Sequence, residues 1–330
     1  FVILTERSMR IGDFVRLDGF EGRITDIKTR YTVIRSGGGR ESIVPNEMLV
    51  TNRVENLTLS DTLISQQTLV SVGYDSDAAL VSRVGHDELG ARACAELALS
   101  GVDVSLIQRD PGAATGTVAV TMDRGEPRYR IATEVAWDRI AGDESVLRAV
   151  SRADVLCFGT LAQRTVLGAG ALRAAWDAAR PGCLRVCDLN VRPPFAAPAV
   201  IDAAVAHADV VKLNEAEAAL VAREAGVTDA VDWLLGRGVR LVALTRGARG
   251  CALVTAAARV EHPGYPVAAG VGDPVGAGDA FVAVLAVELG RARAIPDELS
   301  SLAARANRIA SHVASCPGAM PPIPAWLASS

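Results

Sequence analysis

Apolar and polar residues alternate in short runs over the first 77 positions, and then the rhythm changes. Phe14-Val15-Arg16-Leu17 runs into Asp18-Gly19, and Arg23-Ile24-Thr25-Asp26-Ile27 follows. Tyr31-Thr32-Val33-Ile34 then enters Gly37-Gly38-Gly39, and Ser42-Ile43-Val44 meets Pro45-Asn46. Period-two patterning with a turn every roughly 8–12 residues predicts a small antiparallel β barrel or sandwich. From Ala78 onward, strand-like and helix-like stretches take turns. Strands are expected at 79–84, 102–107, 154–158, 184–188, 209–213 and 239–244. Ala-rich helices are expected at 87–100, 143–151, 164–180, 198–207 and 215–225. That alternation predicts an α/β fold, a parallel sheet covered by helices. The segment 115–131 departs from it: Thr117–Met122 and Arg128–Ile131 flank Gly125, predicting a β-hairpin that serves as a lid or edge feature.

With 330 residues, half of them hydrophobic, the chain is long enough for about two domains with a real core, which excludes wholesale disorder. A net charge of −4 leaves no basic footprint for nucleic acid. Lys28 and Lys212 are the only lysines, and neither closes a G-x-x-x-x-G-K run, so a Walker-type P-loop is excluded. The six cysteines lack C-x-x-C spacing and have apolar neighbours, predicting reduced, buried thiols in a cytoplasmic protein. Cys183 and Cys187 have the spacing of a metal pair but no second pair or nearby His. No run approaches the roughly 18 apolar residues of a transmembrane helix. The start at Phe1 reads as a cut end.

The densest chemistry lies in Gly272-Asp-Pro-Val-Gly-Ala-Gly-Asp-Ala-Phe281, which leads into the apolar helix 282–289. Gly276 and Gly278 admit close backbone approach, and the free amides of a helix start make an anion site. Asp279 then sits in the first turn. The plainer reading is a carboxylate stabilising the helix terminus. The chemical reading is a base that takes a proton from a hydroxyl attacking a bound phosphate. Three more segments fall at strand ends, where open α/β sheets hold ligands. They are Asp188-Leu-Asn190-Val-Arg192, Lys212-Leu-Asn214-Glu-Ala-Glu217 and Thr245-Arg-Gly247-Ala-Arg-Gly250. Each also has a structural reading: a polar turn closed by Pro193-Pro194, a capping box of Asn214 with Glu217, and a Gly-rich hairpin.

Taken in order, D-x-N-x-R, K-x-N-x-x-E, T-x-G-x-x-G and VGAGDAF resemble the PfkB (ribokinase-like) carbohydrate kinases over residues 78–330. DLNVRPPF, VKLNEAE, Ala136-Trp137-Asp138 and Gly264-Tyr265-Pro266 resemble the fructokinase branch. The resemblance implies ATP-dependent phosphorylation of a sugar hydroxyl, with Asp279 as base and Gly276, Ala277 and Gly278 as an anion hole. It implies that Asn214 and Glu217 organise Mg²⁺ and phosphates through water, and that Thr245, Gly247, Gly250 and Asn307 line the nucleotide. It further places Asn190 and Arg192 near phosphate and sugar, and a monovalent cation, K⁺, at Asp273. The family's opening segment, with a central strand, lid strands and Gly-Gly-x-x-x-Asn, has no counterpart upstream.

Residues 1–77 instead resemble the β domain of MscS-type mechanosensitive channels. The carriers are Ile11-Gly-Asp-Phe-Val15, Gly22-Arg-Ile-Thr-Asp-Ile27, Tyr31-Thr-Val-Ile-Arg35, Ile43-Val-Pro-Asn46, Val54-Glu-Asn56 and Gly73–Asp77. No linker separates Asp77 from Ala78, so the join is either a genuine fusion or a chimeric reading frame. Three functions follow: a sugar kinase, an oligomeric channel-type β module carrying an inactive kinase remnant, or a nucleotide binder without turnover. Homo-oligomers through either domain are compatible with both resemblances. Membrane association is expected only where channel helices precede Phe1.

Overall fold

The period-two runs near the start of the chain pair into one antiparallel sheet. The computed structural model describes residues 14–17, 20–28, 30–36, 40–51, 55–56, 63–64, 77–123, 126–195, 197–267, 275–296, 298–316, 318, 320–324 and 327. Its strands are Phe14–Leu17 (β1), Phe20–Ile27 (β2), Tyr31–Arg35 (β3), Glu41–Pro45 (β4) and Glu55–Asn56 (β5), in the order β4-β3-β2-β1-β5. Alternation puts Val15, Leu17, Ile24, Ile34 and Val44 on one face, where they form a core with Leu49. Asn46 does not complete the predicted turn; it opens a short helix, Asn46–Thr51 (α1). Its amide donates to Lys28 O at 2.8 Å while its carbonyl accepts from Thr32 Oγ1 at 2.8 Å, which pins the helix start to the strands. A second small sheet joins Leu63–Ile64 (β6) to the predicted hairpin, Val118–Asp123 (β9) with Glu126–Ile131 (β10). Compactness assigns Phe1–Gln66 and Thr117–Ala132 to one unit and Gln67–Gly116 with Thr133–Ser330 to the other. The Asp18-Gly19, Gly37–Gly39 and Gly125 turns and Gly73–Ser76 lie outside the described residues.

The second unit is the α/β body. Ser82–Gly85 (β7) and Ile107–Asp110 (β8) pair in parallel around the helix Glu88–Leu99 (α2), whose N-cap is Asp87. The strand expected at 102–107 starts later, because Asp103 accepts the Ser105 amide at 2.8 Å and turns the chain before Ile107. A six-stranded sheet follows: Val155–Gly159 (β11), Leu184–Asp188 (β12), Val210–Asn214 (β13), Leu241–Thr245 (β14), Cys251–Val254 (β15) and Arg259–His262 (β16). β11 to β14 run parallel as predicted, but β15 and β16 are antiparallel, so the sheet is mixed.

Helices cover both faces. On one, Val186, Val210, Leu241 and Leu253 meet Phe281 and Leu285 of Ala277–Ala292 (α8) and Leu302 and Ile309 of Ser300–Ala314 (α9). On the other, Val211, Leu213 and Val242 meet Ile201, Val221 and Leu234, from the helices Pro198–Ala206 (α5), Glu215–Ala225 (α6) and Ala230–Gly236 (α7). Glu144–Val150 (α3) and Val166–Ala178 (α4) pack together beside β11. Among the described residues, no helix is long and apolar enough to cross a membrane.

Gly250 shows how tightly the turn after β14 is built. A Cβ there would lie 1.9 Å from His262 O, on a backbone with φ of +78°. Gly247, at φ +58°, faces open space. Gly250→Ala is therefore expected to lower stability by more than about 3 kcal/mol. Gly247→Ala costs only about 1–2 kcal/mol, for the left-handed backbone. Urea unfolding of the two variants measures the difference.

Candidate active site

Strand register puts the key charges side by side. Asp188 ends β12 opposite Lys212 on β13, and alternation turns both toward the α8 face, beyond Val186 and Val210. Lys212 Nζ lies 3.0 Å from Asp188 Oδ1 and 3.3 Å from Oδ2. Both side chains are nearly enclosed, at 8% and 15% exposure. Burial pushes the Asp188 carboxyl up, and Lys212 pulls it back down.

The first turn of α8 sits over this pair. Gly276 precedes the helix at φ +85°, and a Cβ on Gly278 would stand 3.1 Å from Lys212 Nζ. The ammonium thus lies directly beneath the helix terminus, where free amides already favour an anion. Asp279 occupies the same turn, and its carboxyl is raised to about 6. Burial is the main cause and the Asp188 charge adds to it, while Lys212 and Arg192 oppose.

The loop after β12 is held from below. Thr160 Oγ1 donates to Leu189 O at 2.7 Å, and Leu189 N donates to Lys212 O at 3.0 Å. Asn190 takes a left-handed φ of +39°. Glu217 Oε1 accepts from Val191 N at 3.0 Å, and Oε2 accepts from Asn214 N at 2.9 Å. Asn214 Oδ1 in turn accepts from Glu217 N at 2.9 Å, completing the capping box. Glu217 therefore ties the Asn190–Arg192 loop to the start of α6 with both carboxylate oxygens, and burial raises its carboxyl.

Thr245 is registered against Asn214 at the ends of β14 and β13. Gly247 and Gly250 shape the turn beyond it, which Arg249 anchors to Glu215 through an ion pair. Asn307 lies within the packing of α9: its amide nitrogen donates to Ala303 O at 2.7 Å and to Cys251 Sγ at 3.0 Å. Asp273 lies outside the described residues.

Gly278, Asp279 and Arg192 thus gather around the Asp188–Lys212 pair, with Asn214, Glu217 and Thr245 along the neighbouring strand ends. The ion pair itself escaped sequence reasoning, which gave Asp188 and Lys212 no role. The available signal was a rare lysine two residues before an N-cap, at the end of an apolar strand.

The expectation of buried thiols fails at three of the six cysteines, of which Cys94 and Cys316 are half-buried. Cys157 is exposed, because β11 is the outermost strand of its sheet on that side. Cys183 and Cys187 join different core clusters, and no group of three metal-ligating side chains occurs among the described residues.

Comparison with known proteins finds relatives for both parts of the chain. A pfkB family carbohydrate kinase profile matches residues 67–326, and a mechanosensitive ion channel β-domain profile matches residues 1–59. The fructokinase of Klebsiella pneumoniae is 32% identical over 262 residues, which are 75% of this chain and 83% of the relative. The mechanosensitive channel MscK of Escherichia coli is 39% identical over 83 residues, 25% of this chain but only 7% of the channel. The crystal structure of fructokinase with bound ATP from Xylella fastidiosa shares the fold, with a TM-score of 0.64 at 22% identity. That alignment covers 72% of this chain and 79% of the fructokinase.

Proposed function

The chain belongs to the pfkB family of carbohydrate kinases, and from that premise we propose that it transfers the terminal phosphoryl group of ATP to a sugar hydroxyl, with Asp279 as the base. The observation that carries this reading is the half-buried Asp279 carboxylate, lifted to about 6, at the amino end of α8 and above the Asp188–Lys212 pair. A base of that strength is ionised at neutral pH yet still competent to take a proton from an alcohol. The hydroxyl gives its proton to Asp279 as its oxygen forms a bond to the terminal phosphorus. The amides of Gly276, Ala277 and Gly278 receive the negative charge of the transferred group. Lys212, below Gly278, adds positive charge there without replacing a P-loop lysine.

Magnesium, when bound with the nucleotide, neutralises phosphate charge. The residues suit an ion held by phosphates and water, as Mg²⁺ prefers. Both Glu217 oxygens already accept backbone amides and Asp188 is locked by Lys212, which leaves Asn214 and Glu217 to act through water. The same reading sets Thr245, Gly247, Gly250 and Asn307 along the nucleotide and Asn190 and Arg192 toward the acceptor. Fructose is the acceptor favoured by the 32% identical relative named a fructokinase.

Coupled detection of ADP with Mg·ATP and a panel of fructose, glucose and ribose tests the reading. Release of ADP that depends on one of these sugars is expected. Nucleotide binding without sugar-dependent ADP overturns it. A second reading applies to residues 1–77 alone, as an oligomeric β module of channel type. It rests on the β-domain profile match and the five-stranded sheet.

A further inference from the structure

Three arginines converge on a cavity of about 290 Å³ at the end of the sheet opposite Asp279, where β12, β13 and β14 begin. Asp154, before β11, is shared by Arg180 and by Arg293, whose Nη2 lies 3.2 Å from Oδ1. Asp209, before β13, accepts the Arg185 amide at 2.9 Å and stands 3.8 Å from Arg240 Nη1. Two carboxylates thus face the guanidiniums of Arg180, Arg240 and Arg293, leaving one positive charge uncompensated in a concave site. Arg185 lines the cavity too, but its side chain points to the other face of β12, where Nη2 reaches Trp176 O at 3.4 Å.

We propose that this cavity binds a small oxyanion of the phosphate class, free or as the phosphoryl group of a metabolite. Guanidinium forks suit tetrahedral oxyanions, and several converging on one hollow bind such a group better than dispersed surface arginines do. The carboxyl end of α8, at Leu289 and Gly290, also lines the cavity and brings partial negative charge. Arg293 at the C-cap of α8 offsets it. Asp279 and Gly290 are separated by three turns of α8, about 16 Å along the axis, so the ligand does not occupy a substrate subsite.

Thermal unfolding of the full chain against inorganic phosphate, with sodium chloride at matched ionic strength as reference, tests this. Phosphate is expected to raise Tm beyond the chloride control. The double variant Arg240→Gln/Arg293→Gln is expected to raise the half-saturating phosphate concentration at least tenfold. Both side chains are more than half exposed, so the fold should tolerate the change. Arg240→Gln alone moves it in the same direction by less. Gly278→Ala, which crowds the α8 amino end, leaves the response in place. Glycerol 3-phosphate in place of phosphate separates the sources: a lower half-saturating concentration indicates a phosphorylated metabolite, and an equal or higher one indicates the free ion. Three results overturn the proposal: equal stabilisation by chloride, a response unchanged in the double variant, or a response lost in Gly278→Ala alone.

Discussion

Asp279→Asn is expected to reduce sugar-dependent ATP turnover by roughly 10²–10⁴-fold while making the protein more stable. The two effects share one cause. The Asp279 carboxyl moves from 3.8 to about 6 in the folded chain, mainly through burial and then through the Asp188 charge. Because the folded state holds this proton more tightly than the unfolded chain, ionising it opposes folding. The cost grows as pH rises from about 4 to about 6 and is constant above, reaching about 3 kcal/mol. Asn carries no charge, so the gain should be full at pH 8 and vanish near pH 4. Thermal unfolding at both pH values, beside steady-state kinetics, measures it. For the wild type, kcat/KM should fall as pH drops through about 6, as the base becomes protonated. A variant that keeps its turnover, or one that loses stability together with turnover, would contradict the assignment.

The second large effect lies beneath the helix. Lys212→Met should destabilise the protein by about 3–5 kcal/mol, because it leaves the Asp188 carboxylate enclosed without its partner. Burial already raises Asp188, and losing the ammonium raises it further, so the penalty should shrink as pH falls and the carboxyl takes up a proton. Lys212 also lowers the Asp279 carboxyl, so the acid limb of the pH–rate profile should move upward in this variant. Adding Asp188→Asn to Lys212→Met should restore much of the stability, since no unpaired charge remains. Urea midpoints of the single and double variants separate these outcomes. A neutral Lys212→Met would show that the ion pair contributes nothing.

Much of this was legible because its causes are local. The period-two runs at 14–17, 23–27 and 31–34 became strands, and the helices expected at 143–151, 198–207 and 215–225 appear at those places. Asn214 with Glu217 is a capping box whose spacing alone specifies both bonds. The expectation of helix onset at GAGD holds for the same reason, since a left-handed glycine before an apolar helical stretch is a local signal. Errors arose where a single side chain redirected the backbone. Asp103 delayed a strand, and Asn46 converted a turn into a helix by bonding to residues 14 and 18 positions away.

By itself, the sequence determined the alternation of strands and helices, the Asn214–Glu217 capping box, the glycines at the start of α8 and the kinase family. These depend on periodicity and on spacings of a few residues, which a linear chain displays. Only the tertiary structure decided that Lys212 pairs with Asp188 rather than meeting solvent, and that Gly278 rests on its ammonium. It likewise decided that β11 leaves Cys157 exposed, and that arginines from three separate segments line one cavity. Each of these is set by strand register and helix docking across 20 or more residues of chain, where no local pattern reports the distance between two charges.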